Sequence, residues 1–434
     1  MNWLTARLGS LSRIRRGASP RPKGDPRYFG GDIPWLKIGD VPKDNRYIYQ
    51  TVEGVTEAGR ERSVFVEEGT LLLSNSASVG HPFITKIGVC IHDGWLAIDN
   101  LIPLLNQDFL YWFLLFSQQQ LIQLAPSGTQ RNLNTGIVSS FHIPIPPLSE
   151  QHCIVEILDQ ADALRRMRAE ADAKAERILP ALFIKMFGDP ATNPMGWDIL
   201  LVEKLFSRER PGTKCGPFGS ALKKHEYVDK GIPVWGIDNI KPNQFVESGS
   251  LFITPTKYEE LKSYSVEPGD IIISRAGTVG RMCVARPQQS HSIISTNLIR
   301  LSLEKKDIFP EYFTSLLSYF PTSVNQLRAS GDNGAYSFMN TTILKSLKIP
   351  LPPFDLQNEY THRMAEVRRL NEKQIESQAK LNNLFQCLLY RAFSGELTAK
   401  WREAHMKELL AEMEEQAKAL NLRDYGDSQQ LSLL

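Results

Sequence analysis

The chain has 434 residues, 42% hydrophobic and 23% charged, which is ordinary for a folded protein of two or three domains. No apolar run approaches the ~20 residues of a membrane span and the amino terminus lacks a signal-peptide core, so a cytoplasmic location without membrane contact is expected. Net charge is only +2, which does not by itself announce a polyanionic partner, and five scattered cysteines offer no metal-ligand spacing.

Residues 1–50 hold 10 Lys and Arg against 4 Asp, whereas residues 51–150 hold 4 Lys and Arg against 9 Asp and Glu. Within this polarised stretch "GGDIPWLKIGDV" and "GTLLLSNSASVGHPFITKIGVCIH" alternate glycine breaks with short β-branched runs and predict strands. "QDFLYWFLLFSQQQLIQLA" predicts a helix, and the proline phrase "IPIPPLSE" closes a mixed α/β globule over residues 1–150.

A helix is predicted next, over 151–187. Ile154, Ile157, Ala161, Leu164, Arg168, Ala171, Ala175, Ile178 and Leu182 step by three and four, a heptad seam with one charge on it. Pro180 should kink or end that helix near its last turn.

Residues 188–356 then repeat the first globule. "DIPWLKIGDV" at 32 returns as "GIPVWGIDNI" at 231, and "GTLLLSNSASVG" at 69 as "GDIIISRAGTVG" at 269. "DNLIPL" at 99 returns as "TNLIRL" at 296, and the proline phrase at 143 as "IPLPPFDLQ" at 349. Offsets of 199, 200, 197 and 206 residues keep order and spacing, which indicates a duplicated domain and excludes a short-period solenoid. A second helix is predicted over 357–400, with a drifting stripe that includes Met364, Val367, Leu370, Leu381 and Leu388. Neither helix can bury its stripe alone, so the two are expected to pair as an antiparallel coiled coil, a rod of roughly 50 Å at 1.5 Å per residue. The fold class is therefore α+β, two homologous mixed α/β domains separated by two long paired helices. Residues 401–434 read as a charged amphipathic helix with a frayed end.

Catalytic signatures are missing. There is no nucleotide-binding GxxxxGK[ST], no GxGxxG after a strand, no GxSxG and no HExxH. "TNPMG" at 192 lacks the second proline and the aromatic of an amino-methyltransferase loop and reads as a turn. What remains is recognition, because polar and basic residues gather in glycine-flanked loops at matching places. The first copy offers Arg15, Arg16, Arg21, Lys23, Lys37, Ser74, Asn75, Ser76, Gln130, Arg131, Asn132 and Asn134. The second offers Lys214, Lys223, Lys224, Ser274, Arg275, Arg281, Asn333, Ser337 and Asn340. Arginine can grip guanine edges and Asn or Gln adenine edges, while Lys and Ser serve phosphates. The plainer reading of each residue alone is turn formation.

"RRGASP…YFGGDIPWLKIGDV", "SGTQRNLN…FHIPIPPLSEQ", "LFIKMFGDP", "IPLPPFDLQ" and "LLYRAFSGELTAKW" together resemble the DNA-specificity subunit of type I restriction–modification systems, from Trp3 to about Lys400. The second proline phrase departs from the family's Glu-Gln ending. The resemblance implies two target-recognition domains reading a bipartite double-stranded DNA sequence, with the paired helices as spacer. It also implies two adenine-methylating subunits and motor–nuclease subunits as partners. S-adenosylmethionine, ATP and Mg would then belong to those partners, and this chain would be non-catalytic. The alternative is a coiled-coil protein-binding adaptor without DNA specificity.

Overall fold

The computed structural model describes residues 3–42, 45–76, 78–126, 132–218, 221–241, 244–247, 251–275, 280–320 and 340–419. The chain divides into two compact units, residues 1–170 with 376–434 and residues 171–375.

In the first unit a five-stranded sheet runs in the spatial order Arg13–Arg16, Trp95–Asp99, Leu71–Ser74, Pro82–Thr85, Tyr47–Ile48. A four-stranded sheet follows the order Glu53–Val55, Phe29–Leu36, Val89–Ile91, Val64–Val66, with its middle pair parallel. The central strand "LLLS" reads as an unbroken apolar run because both of its faces are covered. Leu71 and Leu73 enter a core built on the helix Gln107–Phe116, whereas Leu72 enters a second core with Leu36, Ile91 and Trp95.

The second unit repeats this frame. Its first sheet is ordered Thr213–Cys215, Leu298–Leu301, Ile271–Ser274, Met282–Val284, and its second Leu251–Ile253, Ile232–Trp235, Ile293–Ile294. "IIIS" splits its side chains as "LLLS" does, with Ile271 and Ile273 in one core and Ile272 in the other. The mixed α/β duplication expected from the echoes is thus present in both sheets, although among the described residues each sheet of the second unit has one strand fewer.

Each proline phrase ends a strand and starts a helix for a local reason. His142–Ile145 pairs antiparallel with Leu4–Arg7, and Lys348–Leu351 pairs with Asp198–Leu201 in the same register. The paired prolines that follow cannot extend a ladder, so the chain turns out of the sheet. A buried glutamine then anchors the new helix. Gln151 takes the backbone N–H of Asn106 at 2.8 Å and donates to the carbonyls of Leu104 and Pro146. Gln357 repeats this with Phe309 N–H at 3.0 Å and the Pro352 carbonyl at 2.8 Å.

The long helices are Leu148–Ala175, Ile178–Phe187 and Phe354–Phe393. In the first unit the start of Leu148–Ala175 packs on the end of Phe354–Phe393, with the Arg165 guanidinium 4.3 Å from the Phe385 ring. In the second unit Phe183 and Phe187 of the short helix pack on Tyr360, near the start of Phe354–Phe393. Start against end in one unit and end against start in the other makes the pairing antiparallel.

The predicted seam needs correction in its phase. Ile154 and Ala175 are buried and Ile157, Ala161, Arg168 and Leu182 half-buried, but Leu164, Ala171 and Ile178 are exposed. The covered positions between are Leu158, Arg165, Asp172 and Leu179, one residue further on. On Phe354–Phe393 the covered stripe runs Gln357, Tyr360, Met364, Val367, Asn371, Gln374, Gln378, Leu381, Phe385, Leu388 and Ala392, an unbroken three–four step. Leu370 is exposed and leaves the set. Both stripes have polar centres, and a search for apolar periodicity slides off them onto neighbouring leucines and isoleucines. Arg165 makes this tolerable by setting its planar head over Phe385 and donating from Nε to the Asn382 side-chain oxygen at 3.2 Å. Pro180 lies in the first turn of Ile178–Phe187, where its missing N–H costs nothing, so the helix breaks before it, at Glu176–Arg177, and not after.

Candidate nucleic-acid interface

One end of the first unit's sheets collects four loops around the Val89–Ile91 to Trp95–Asp99 turn. The approach is close enough that a Cβ on Gly17 would meet the His92 carbonyl oxygen at 2.1 Å, so only glycine fits there. Asp93 is the hub. Its carboxylate accepts the Ser19 hydroxyl at 2.6 Å and stands 2.9 Å from His92 Nε2. Its carbonyl accepts Asn75 Nδ2 at 2.9 Å and Arg16 Nε at 3.1 Å. His92 Nδ1 accepts the Gly94 N–H, which leaves the ring proton on Nε2, facing Asp93. Burial pushes the His92 pKa down, Asp93 opposes this, and the nearby charges of Arg21, Lys23 and Lys37 lower it further. Burial would raise Asp93, but the Ser19 hydrogen bond and the charges of His92 and Arg21 outweigh it and hold the carboxyl below its ordinary value. Arg16, Arg21, Lys23 and Lys37 therefore converge on one loop cluster, a basic field over ordered polar groups.

The predicted residues separate into those that face outward and those the fold consumes. Arg21 and Arg16 are exposed. Lys37 is ion-paired to Glu53 at 2.5 Å. Arg15 is turned the other way by strand alternation: it bonds Asp99 through Nε and Nη2 and the Phe65 carbonyl through Nη1. Ser74 and Asn75 are buried, and Ser74 closes its own hairpin through the Ser78 and His81 carbonyls. Asn134 caps the helix Thr135–Ser140 by accepting the Ile137 N–H, with exposed Asn132 just before it. Ser76 is half-buried beside this cluster. Gln130, Arg131, Asn333 and Ser337 lie outside the described residues. Sequence reasoning missed Ser19, His92 and Asp93, because one histidine beside one aspartate carries no motif. The signal was positional, since the pair falls where the second copy has Ser295–Thr296.

The second unit builds the same loops with other side chains. Gly216 meets the Ser295 carbonyl as Gly17 meets that of His92, with a Cβ distance of 1.8 Å. The Arg275 N–H donates to the Asn297 carbonyl as the Asn75 N–H donates to that of Gly94. Gly236 N–H is held by Asn239 as Lys37 N–H is held by Asp40. Thus Lys37 is matched by Gly236, Asn75 by Arg275, and His92-Asp93-Gly94 by Ser295-Thr296-Asn297. The Arg275 guanidinium lies 4.8 Å from the exposed Phe218 ring. Ser274 is buried like Ser74, whereas Lys223 and Lys224 are exposed and Asn340 stands exposed before the helix Thr341–Ser346. Lys214 sits 4.6 Å over the Tyr264 ring, and Arg281 reaches the Ile240 carbonyl at 3.5 Å. Among the described residues, no group of three His, Cys, Asp or Glu could hold a metal ion, and no helix is long and apolar enough to cross a membrane.

The family model for the type I restriction modification DNA specificity domain matches residues 1–176 and 218–381, one match on each copy of the frame. The chain belongs to that family. It is thus a DNA specificity subunit of a type I restriction–modification system, the non-catalytic component of a complex with methylation and restriction subunits. Among its relatives is the EcoBI specificity subunit of Escherichia coli, 25% identical over 92% of this chain and 87% of the relative. The EcoKI specificity subunit of E. coli strain K12 is also 25% identical, over 92% and 90%. The MjaVIII specificity subunit of Methanocaldococcus jannaschii is 20% identical over 88% and 92%. In fold, the specificity subunit resembles the crystal structure of the S subunit from M. genitalium, with TM-score 0.52, 16% identity and coverage of 91% and 96%. A structure concerned with complex assembly and conformational transition of the type I system matches with TM-score 0.60 and 18% identity, over 91% and 98%.

The two arginines of "RIRR" make different predictions. Replacing Arg16 with alanine should weaken DNA binding equally across sequences and reduce the slope of log K against log salt by about 1 if it meets a phosphate. Replacing Arg15 should leave that slope unchanged and lower stability instead, because it leaves Asp99 with Arg13 alone and takes a donor from the Phe65 carbonyl. Salt titrations of binding by both variants check this, and a reduced slope for Arg15→Ala would reverse the assignment.

Proposed function

We propose that this specificity subunit reads a bipartite double-stranded DNA target, one half with each copy of the duplicated frame, and that its paired helices fix the spacer between halves. The observation that carries this reading is the pair of equivalent loop clusters. Equivalent hydrogen bonds from backbone N–H groups, to an Asp40 or Asn239 side chain and to loop carbonyls, hold Lys37, Asn75 and His92–Asp93 in one unit and Gly236, Arg275 and Ser295–Thr296 in the other. A shared frame with unlike side chains suits two readers of unlike sequences, because base edges are distinguished by donor and acceptor patterns. On this reading residues 1–150 and 188–356 are the target-recognition domains.

Two adenine-methylating subunits would grip the helices, and motor–nuclease subunits would join them for cleavage. S-adenosylmethionine, ATP and Mg would be bound by those partners. Support comes from the large apolar side chains exposed on the helices, among them Leu164, Met167, Leu370, Ile375 and Leu384, each more than half exposed. Mapping methylated adenines in DNA from cells carrying this chain and its methylating partner tests the reading. A two-part motif with a fixed spacer is expected; an uninterrupted motif, or methylation by this chain alone, would contradict it.

A further inference from the structure

At the Val89–Ile91 to Trp95–Asp99 turn, the Asp93 side chain does something the frame itself does not require. The neighbouring loops are tied by the Asp93 carbonyl, which takes Asn75 and Arg16. The carboxylate is nonetheless held in one orientation. The Ser19 hydroxyl accepts the Asp93 N–H at 3.4 Å and donates to Oδ1 at 2.6 Å. His92 Nε2 stands 2.9 Å from the same oxygen. Among the described residues the other oxygen, Oδ2, accepts no hydrogen bond, and the side chain is 37% exposed.

This free acceptor sits in a field that draws phosphates, with Arg16, Arg21 and Lys23 exposed around it. Burial alone would raise the Asp93 pKa, but the Ser19 hydrogen bond and the charges of His92 and Arg21 hold it low, so the carboxyl stays ionised. An ionised oxygen pressed against DNA loses water and must find a donor there. Phosphates repel it, and the deoxyribose-phosphate chain offers acceptors only. The donors a duplex presents in its grooves are exocyclic amino groups: adenine N6 and cytosine N4 in the major groove, guanine N2 in the minor. The second unit has Thr296 in the place of Asp93, a hydroxyl that can donate as well as accept, so the demand for a donor belongs to the first unit.

We infer that Asp93 is a specificity-determining residue, its Oδ2 accepting a hydrogen bond from one exocyclic amino group in the half-site read by residues 1–150. The inference rests on the reading that each copy of the frame reads its own half. It has a consequence that a purely structural aspartate would not have. In Asp93→Asn the Ser19 hydroxyl and the His92 ring proton still need an acceptor, so the amide oxygen takes the place of Oδ1 and the amide nitrogen that of Oδ2. The loop keeps its bonds while the free edge changes from acceptor to donor. The favoured base should then change from one with an amino group to one with a carbonyl, thymine or guanine.

The experiment uses the full chain in complex with its methylating subunits, once its methylated motif is mapped. Competition binding is measured over duplexes in which each base pair of that half is varied in turn. The wild type should favour an amino-bearing base at one position by about 10-fold, and Asp93→Asn should reverse the preference there and nowhere else. Base analogues test the contact without altering the protein. Purine for adenine, 2-pyrimidinone for cytosine and hypoxanthine for guanine each delete one amino group and show which base supplies it. One such deletion should cost the wild type about 10-fold and Asp93→Ala nothing. Unchanged preferences at every position, a uniform loss at all of them, or a wild type indifferent to every deletion would overturn the assignment. Equal losses by wild type and Asp93→Ala would overturn it too. Exchange of residues 1–150 for those of another family member keeps the underlying reading separate. If neither half of the motif changes, that reading fails; if one half changes while Asp93→Asn alters no position, only the Asp93 assignment fails.

Discussion

Replacing Glu150 with alanine is expected to destabilise the first unit by about 3–5 kcal/mol, the cost of leaving one partner of a buried ion pair uncompensated. Glu150 is fully buried, and the Arg402 side chain that reaches it at 2.7 Å is only 13% exposed. The same carboxylate accepts the indole N–H of Trp3 at 3.0 Å and the hydroxyl of Thr398. One side chain thus ties the residue before the first strand, the start of the spacer helix and the segment after the second long helix. Glu150→Gln keeps an acceptor and the shape and should cost less, about 1–3 kcal/mol. The second unit supports this from the other direction, because its equivalent residue, Leu356, packs apolar against the core. Accordingly Glu150→Leu combined with Arg402→Leu should recover much of the loss. Urea unfolding of the single and double variants measures it; a single-variant loss below 1 kcal/mol would show the pair is not held as described.

The second large effect concerns the helices. Inserting seven residues in the polar centre of each, after Arg168 and after Gln374, should move the preferred spacer by about three base pairs. Seven residues add ~10 Å of helix, and base pairs rise ~3.4 Å. The number matters because the covered stripes repeat with heptad phase along their whole length, so seven residues return every later side chain to its face. An insertion of five should rotate the following stripe by more than a quarter turn and weaken assembly. Methylation at the original spacer should fall at least 100-fold in the seven-residue variant, with both half-sites unchanged. Methylation profiles over a library of spacers would show it. An unchanged spacer preference would remove the helices from that role.

Much of the architecture was legible because duplication is a long-range signal written in the sequence itself. "LLLS" and "IIIS", each covered on two faces, announce central strands in both copies, and the echoes placed them in one frame. The helix seam was half legible. Its apolar residues give the period, but Arg165, Asp172, Asn371, Gln374 and Gln378 hide the phase, since covered polar residues look like surface. The interface was legible as a set of loops and less so as residues. Ser74, Asn75 and Asn134 have the composition of readers but serve the hairpin, the Asp93 hub and a helix cap. Arg15 and Arg16 are adjacent in sequence and opposite in role, which only the strand's pairing decides. Glu150 was visible as part of a phrase, yet its partners Thr398 and Arg402 lie 248 and 252 residues away. The missing glutamate of the second copy proves to be a local exchange of an ion pair for an apolar contact, while the neighbouring glutamine keeps its task.

The central claim is that each copy of the frame reads its own half of the target. The direct measurement is the methylated motif in cells whose specificity subunit carries residues 1–150 from another family member, with the partner subunits unchanged. The account predicts that one half of the motif takes on a new sequence while the other half and the spacer length stay as they were. Change in both halves, or in neither, would contradict it.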